Sequence, residues 1–259
     1  MDNIQFDKTT FRASSWGSLM SEPVNAADKA AGKLGLTAQK ELVKIYNKIV
    51  YDWEAEDKET KETRKGTKVQ TDSIRMYSVV EGKIFEENFE QLENQFFSGK
   101  PDLFFGESIR KATQVDDIKN SWSLETFGNK IVETINKDFI YQLNVYFDLT
   151  GATGGNIVHT LMSLPEEDFL QECKYLQTRM VNSGNYISDL SQSFIDDYET
   201  GVEKLKKLHL YDHIDPRERV YKQPVPRNDE LIKKMKDKVP VLRNWLKNYH
   251  EIRMNQYPK

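Results

Sequence analysis

The stretch Gly99-Lys100-Pro101-Asp102-Leu103-Phe104-Phe105, answered further on by Val115-Asp116-Asp117-Ile118-Lys119, decides how this chain is read. Each half holds a short apolar run. Ser98-Gly99-Lys100-Pro101 supplies a turn before the first, and Gly106-Glu107-Ser108 a polar turn between the two. Such runs predict buried strands that can pair as a hairpin. Side chains two apart on a strand share a face, so Asp117 and Lys119 project together. A partner strand brings Asp102 beside them. Charges inside an otherwise apolar strand are costly unless paired or put to use. Two carboxylates can hold a hard divalent cation, Mg2+ or Mn2+, with water filling its shell and the Ile118 main-chain carbonyl adding an oxygen. Lys119 is then placed to orient or deprotonate a water and to offset charge on a phosphate. These residue types point to phosphodiester hydrolysis. Without that context, Pro101-Asp102 is ordinary turn chemistry and Asp116 to Lys119 a solvated strand end.

Working outward, Ser14 to Met20 predicts a short helix opened by a serine cap. Residues 22–36 predict a loop. A helix follows from Thr37, with Leu42, Ile45, Tyr46 and Ile49 on one face. The charged stretch 54–65 predicts a solvated loop or helix surface, and 67–79 a helix. One helix is expected over 131–149, ended by the Gly151–Gly155 cluster, and a strand over 157–162. Pro165 and the acids after it open a helix to about Val181. Helices at 187–209 and 229–250 complete the chain, joined by the segment with Pro216, Pro224 and Pro226. This order predicts an α/β core over 1–185 and a helical, basic C-terminal extension over 186–259.

Composition narrows the class. The chain has 259 residues, 38% of them apolar and 30% charged. Its 4 Trp, 12 Tyr and 13 Phe argue for a packed core rather than global disorder. No apolar run is long enough to span a bilayer. One cysteine, Cys173, excludes a disulfide framework, a Cys-rich zinc site and a protein-held iron–sulfur cluster. Met1 to Phe11 lack the basic start and apolar stretch of a secretory signal, which predicts a cytoplasmic setting. The net charge is −4, but it is unevenly divided. Residues 1–200 carry 22 basic and 33 acidic side chains, while 201–259 carry 15 and 8. The basic tail either packs on the acidic core or contacts phosphates. No Gly-x-x-x-x-Gly-Lys-Ser/Thr pattern is present, so ATP hydrolysis is not expected. The four histidines have no zinc-ligand spacing and are read as structural or surface residues. Trp122 is read as a core residue ahead of a base-stacking one.

Four blocks, in order, resemble the PD-(D/E)XK nuclease superfamily, in particular its lambda-exonuclease-like and RecB-like branch. They are Phe11-Arg12-Ala13-Ser14-Ser15, Lys65-Gly66-Thr67-Lys68-Val69-Gln70, the Asp102 and Asp117-Ile118-Lys119 pair, and Gln142-Leu143-Asn144-Val145-Tyr146. The resemblance implies a restriction-endonuclease-like core: a central mixed β-sheet flanked by helices. It implies Asp102 and Asp117 as metal ligands and Lys119 as the catalytic lysine. Gln142 and Tyr146, four apart on one helix face, line the active site. Arg12 and Ser14 fall in the block that meets a terminal phosphate, a pairing of guanidinium and hydroxyl suited to that ligand. The implied activity is a metal-dependent exonuclease acting on linear DNA in phage-type recombination. The implied partners are DNA, a single-strand annealing protein and further copies of the chain.

One position departs from the pattern. Gln70 stands where this branch carries a metal-binding glutamate. An amide offers an oxygen but no charge. Either one metal is held weakly, or another acid such as Asp72 or Glu62 substitutes, or the chain binds DNA or serves a virion or replication complex without cutting. Retention of Asp102, Asp117 and Lys119 favours activity.

Overall fold

The computed structural model describes residues 4–53, 60–186, 188, 189 and 191–255. Most of the charged stretch, 54–59, and residue 187 at the expected start of a helix lie outside the described residues. In chain order the elements are β1 (Phe11–Arg12), α1 (Trp16–Leu19), α2 (Ala26–Ala30), α3 (Leu36–Tyr51), α4 (Lys61–Glu81), β2 (Leu92–Glu93), β3 (Phe97–Gly99), β4 (Leu103–Gly106) and β5 (Ala112–Asn120). Then come α5 (Leu124–Val132), α6 (Lys137–Thr150), β6 (Gly154–Thr160), α7 (Glu166–Asn182), α8 (Gln192–His209), β7 (Val220–Pro226) and α9 (Asp229–Asn255).

The expected hairpin is β4–β5, antiparallel, with Leu103 opposite Asp116. It lies at one side of a four-stranded sheet ordered β4-β5-β6-β7. β5 and β6 are parallel; β6 and β7 are antiparallel. A smaller sheet, β1-β3-β2, leads into the hairpin. The two-residue period of β5 divides its side chains between two layers. Val115 joins Leu143, Phe147 and Ile157 in the main core with α1, α3, α6 and α9. Ile118 turns the other way, onto Ile74 and Tyr77 of α4. Each large apolar side chain so buried contributes about 1.5–3 kcal/mol. The sheet is therefore clamped between α6 and α4, and the charges on β5 are carried inside.

Several expected elements differ. The predicted loop contains α2, opened by Asn25, whose side chain accepts from the Ala27 N–H at 2.8 Å. No serine side chain caps α1. A 3-10 turn, Ala13–Ser15, precedes it, and Ser15 Oγ donates to Glu41 at 2.7 Å instead. The single helix expected over 131–149 is two. A capping box between Ser123 and Thr126 starts α5, and Asn136 caps α6 by accepting the Asp138 N–H. Those polar side chains take up the first free backbone donors of each helix. The proline segment is partly a strand. β7 tolerates Pro224 and Pro226 because it pairs with β6 alone, and residues two apart turn their missing N–H to the same outer side.

α9 resolves part of the charge division. Its Ile232, Met235, Val239, Leu242 and Leu246 are buried in the main core. Lys236 pairs with Asp148 at 2.6 Å and Lys247 with Asp7 at 2.6 Å. Arg243 donates to the carbonyl oxygens of Thr9 and Gln95. These cations are spent on the acidic core.

Candidate active site

The antiparallel register sets Asp102 at the mouth of the hairpin, beside Asp117. Asp102 Oδ2 accepts the Ile118 backbone N–H at 2.8 Å, and Oδ1 accepts from Gln70 Nε2 at 3.0 Å. Burial, and then the charge of Asp117, push the Asp102 carboxyl up to about 7. Asp117 is 2% exposed. Its Oδ1 accepts from Gln142 Nε2 at 3.2 Å, and its Oδ2 lies 2.6 Å from Lys119 Nζ. Burial works to lower Lys119, but the charge and contact of Asp117 outweigh it and hold the ammonium above its ordinary value. Lys119 also lies 5.1 Å from the Phe139 ring centre.

Gln142 is the hub. Its amide donates to Asp117 and to the Tyr146 hydroxyl at 2.8 Å, and its oxygen faces Lys119 at 3.5 Å. Burial, and then Asp117, hold the Tyr146 phenol well above its usual value, so it stays protonated. Lys119 and Gln70 open into a groove of about 500 Å³ that Glu62, Trp122 and His159 also line. Arg12 faces a neighbouring groove of about 740 Å³ with Lys8, Ser15 and Ser98. Its charge reaches Tyr146. The structure thus brings Asp102, Asp117, Lys119, Gln70, Gln142 and Tyr146 together and sets Arg12 beyond Tyr146. Ser14 is exposed and lines neither groove.

Neighbouring residues divide sharply in role. Asp116 points away from the site, toward α4. It is fully buried, accepting from the Tyr77 hydroxyl, Gln114 and both the backbone and side chain of Asn156. Of the acids considered as substitutes at Gln70, Asp72 is exposed and paired with Arg75 at 2.9 Å. Glu62 lies in the first turn of α4, where backbone hydrogen bonding holds its carboxyl below the usual range. The acid that meets Gln70 is Glu87, whose Oε1 accepts from Gln70 Nε2 at 3.1 Å. No periodic pattern in residues 83–91 marks it. Trp122 is half-buried, edge-on to His209 and beside the Lys65 ammonium.

Gly99 owes its place in the motif to Tyr146. A Cβ there would stand 2.7 Å from the Tyr146 ring and 3.1 Å from Ala13. Gly99→Ala should displace the ring, loosen its bond to Gln142 and lower the rate of the reaction proposed below roughly tenfold. Steady-state rates at matched fold, verified by circular dichroism, check this.

Lys65 is 1% exposed and donates to the carbonyl oxygens of Ser121 and Trp122, each at 3.0 Å. Burial lowers its ammonium to about 8. Between pH 8 and its unfolded value near 10.5, the unfolded chain binds the extra proton, so this residue makes stability rise with pH. The slope is at most about 1.4 kcal/mol per pH unit. Urea unfolding of the wild type and Lys65→Met should show a difference that grows in the wild type's favour across that window.

Among the described residues no three His, Cys, Asp or Glu side chains form a ready metal cluster. The donor set nonetheless fits a hard cation. Asp117 Oδ2 is buried without a hydrogen bond and meets Lys119 only as an ion pair. Two carboxylates with water completing the shell suit Mg2+ or Mn2+.

No family model matches the sequence, and no curated protein does. Solved structures do. A phage-related exonuclease from Haemophilus somnus 129PT superposes with a TM-score of 0.66 at 23% identity, covering 94% of this chain and 96% of that one. An alkaline exonuclease, LHK-Exo, from Laribacter hongkongensis gives 0.61 at 12% identity, covering 98% and 95%. The chain has the fold of these exonucleases. LHK-Exo in complex with dAMP matches equally, with a TM-score of 0.60 at 13% identity over 95% and 92%. The resemblance drawn from the motifs is borne out at the level of fold. No helix among the described residues is long and apolar enough to cross a membrane.

Proposed function

We propose that this chain is a divalent-metal-dependent deoxyribonuclease, an exonuclease that hydrolyses phosphodiester bonds at the ends of linear DNA in phage-type recombination. The observation that carries the reading is the convergence of Asp117 and Lys119 through Gln142, with Asp102 beside Asp117 across the hairpin and Lys119 opening into the groove, within a fold shared with exonucleases over nearly the whole chain. The complex of LHK-Exo with dAMP supports a deoxynucleotide ligand for this fold.

Asp102 and Asp117, with the Ile118 carbonyl, would hold the cation. When bound, the cation supplies Lewis-acid activation of the phosphate and its water. Lys119 holds its proton between Asp117 and Gln142 and directs a donor at the attacking water or a phosphate oxygen. Gln142 fixes Lys119, Asp117 and Tyr146 in one geometry. Tyr146, kept protonated, offers a hydroxyl toward the Arg12 side. Arg12 binds a terminal phosphate there, in the groove that Ser15 and Ser98 also line.

Linear duplexes labelled at the 5′ or 3′ end, with and without a 5′ phosphate, test the reading. Stepwise loss from one end with Mg2+ or Mn2+, weakened by Arg12→Ala, is the expected result. Internal cuts at comparable rates would make the chain an endonuclease. A second reading, a DNA-binding protein that does not cut, draws on Gln70, whose amide lies against Asp102. It predicts activity only after Gln70→Glu. Cytoplasmic action beside an annealing protein, as a homo-oligomer, completes the proposal.

A further inference from the structure

We propose that Glu87 is a ligand of the metal centre, supplying from the loop after α4 the carboxylate that the helix position Gln70 lacks. The inference rests on the metal-dependent nuclease reading. Gln70 Nε2 lies 3.1 Å from Glu87 Oε1 and 3.0 Å from Asp102 Oδ1. One nitrogen with two carboxylate acceptors stands where a cation shared by them would stand. The amide satisfies their hydrogen bonding but neutralises neither. A divalent cation binds oxygen at about 2.1 Å, so each carboxylate needs to close by roughly 1 Å on the shared point. Gln70, on a long unbranched side chain, turns its amide aside.

The loop is built to present Glu87 there. Asn88 is 6% exposed, its backbone N–H donates to the Asp102 carbonyl at 2.8 Å, and its Nδ2 donates to the Pro101 carbonyl at 2.9 Å. The residue next to Glu87 is thereby fastened to the main chain of the metal-binding motif. Thr71 Oγ1 holds Glu87 Oε2 at 2.9 Å and leaves Oε1 to meet the Gln70 nitrogen that also donates to Asp102. The bond network gives the acid lost from α4 a replacement on a different element. The loop position carries the charge, and Gln70 bridges the two carboxylates through one amide nitrogen.

Mn2+ binding by the full chain without DNA tests this, read by electron paramagnetic resonance and calorimetry. Glu87→Gln is expected to weaken binding roughly tenfold or more, since a group only one step removed from a metal already costs that much. Asp72→Asn should bind as the wild type does. Gln70→Glu should restore binding in the Glu87→Gln background, which separates a lost ligand from a damaged fold. Wild-type affinity in a folded Glu87→Gln protein, or no restoration by Gln70→Glu, overturns the proposal and leaves the nuclease reading standing. A wild-type protein that binds no Mn2+ and cuts no DNA overturns both.

Discussion

Lys119→Ala is expected to lower the single-turnover rate of the proposed DNA hydrolysis by about three orders of magnitude. A preorganised charge aimed at developing negative charge is worth roughly 10²–10³ in rate. The same change has a stability signature. Asp117 is 2% exposed and loses its 2.6 Å ion-pair partner. Removing one member of a fully buried pair costs about 3–5 kcal/mol. The Lys119 side chain is 28% exposed, and Gln142 still donates to Asp117, so the loss here is about 1–3 kcal/mol. Saturating Mn2+ should then raise the melting temperature of Lys119→Ala more than that of the wild type, because the cation replaces the missing positive charge. Hydrolysis within tenfold of the wild-type rate would remove Lys119 from the mechanism.

Gly155→Ala costs about 3 kcal/mol or more, the largest stability effect expected of a single methyl group in this chain. Gly155 pairs with Val115 across the parallel β5–β6 ladder. A Cβ at Gly155 would stand 1.7 Å from the Val115 carbonyl oxygen and 3.2 Å from the Phe147 ring. The obstacle is main chain, so no rotamer relieves it. Overpacking costs about 1–3 kcal/mol where side chains can yield, and more where they cannot. For a chain of this size that is a fall in Tm of roughly 6–12 °C. Because Asp117 follows Val115 by two residues on the same face, the forced separation of the strands should also depress activity. Gly128→Ala is the control. It lies in α5 with nothing within 4 Å of the added Cβ, and should be neutral or stabilising by about 0.5–1 kcal/mol.

The hairpin was legible because two physical signals agree in it. Leu103-Phe104-Phe105 and Val115 to Ile118 are apolar runs bounded by turns, and they become β4 and part of β5. The two-residue period then placed Asp117 beside Lys119 with no further information. Gln142 and Tyr146, four apart, meet on α6 and are hydrogen-bonded at 2.8 Å. The missed features lie where local pattern carries no signal. Glu87 sits in an irregular segment whose position depends on Asn88 reaching the Pro101 and Asp102 carbonyls, a contact between distant residues. β7 was hidden by prolines that only an outer strand accepts. The break between α5 and α6 is written in Ser123, Thr126 and Asn136, caps that apolar periodicity alone overlooks. Lys65 reads as a surface cation in a charged run, yet it is buried on two carbonyl oxygens. The basic tail posed two readings, and the contacts of Lys236, Lys247 and Arg243 favour packing on the core.

The most direct test of the central claim is nucleotide release by the purified chain from linear duplex DNA, set against a covalently closed circle of the same sequence. The account predicts release from the linear form with Mg2+ or Mn2+, none with chelator, none from the closed circle, and loss of release in Asp117→Ala. Intact linear DNA across both metals, from protein shown to be folded, would contradict it.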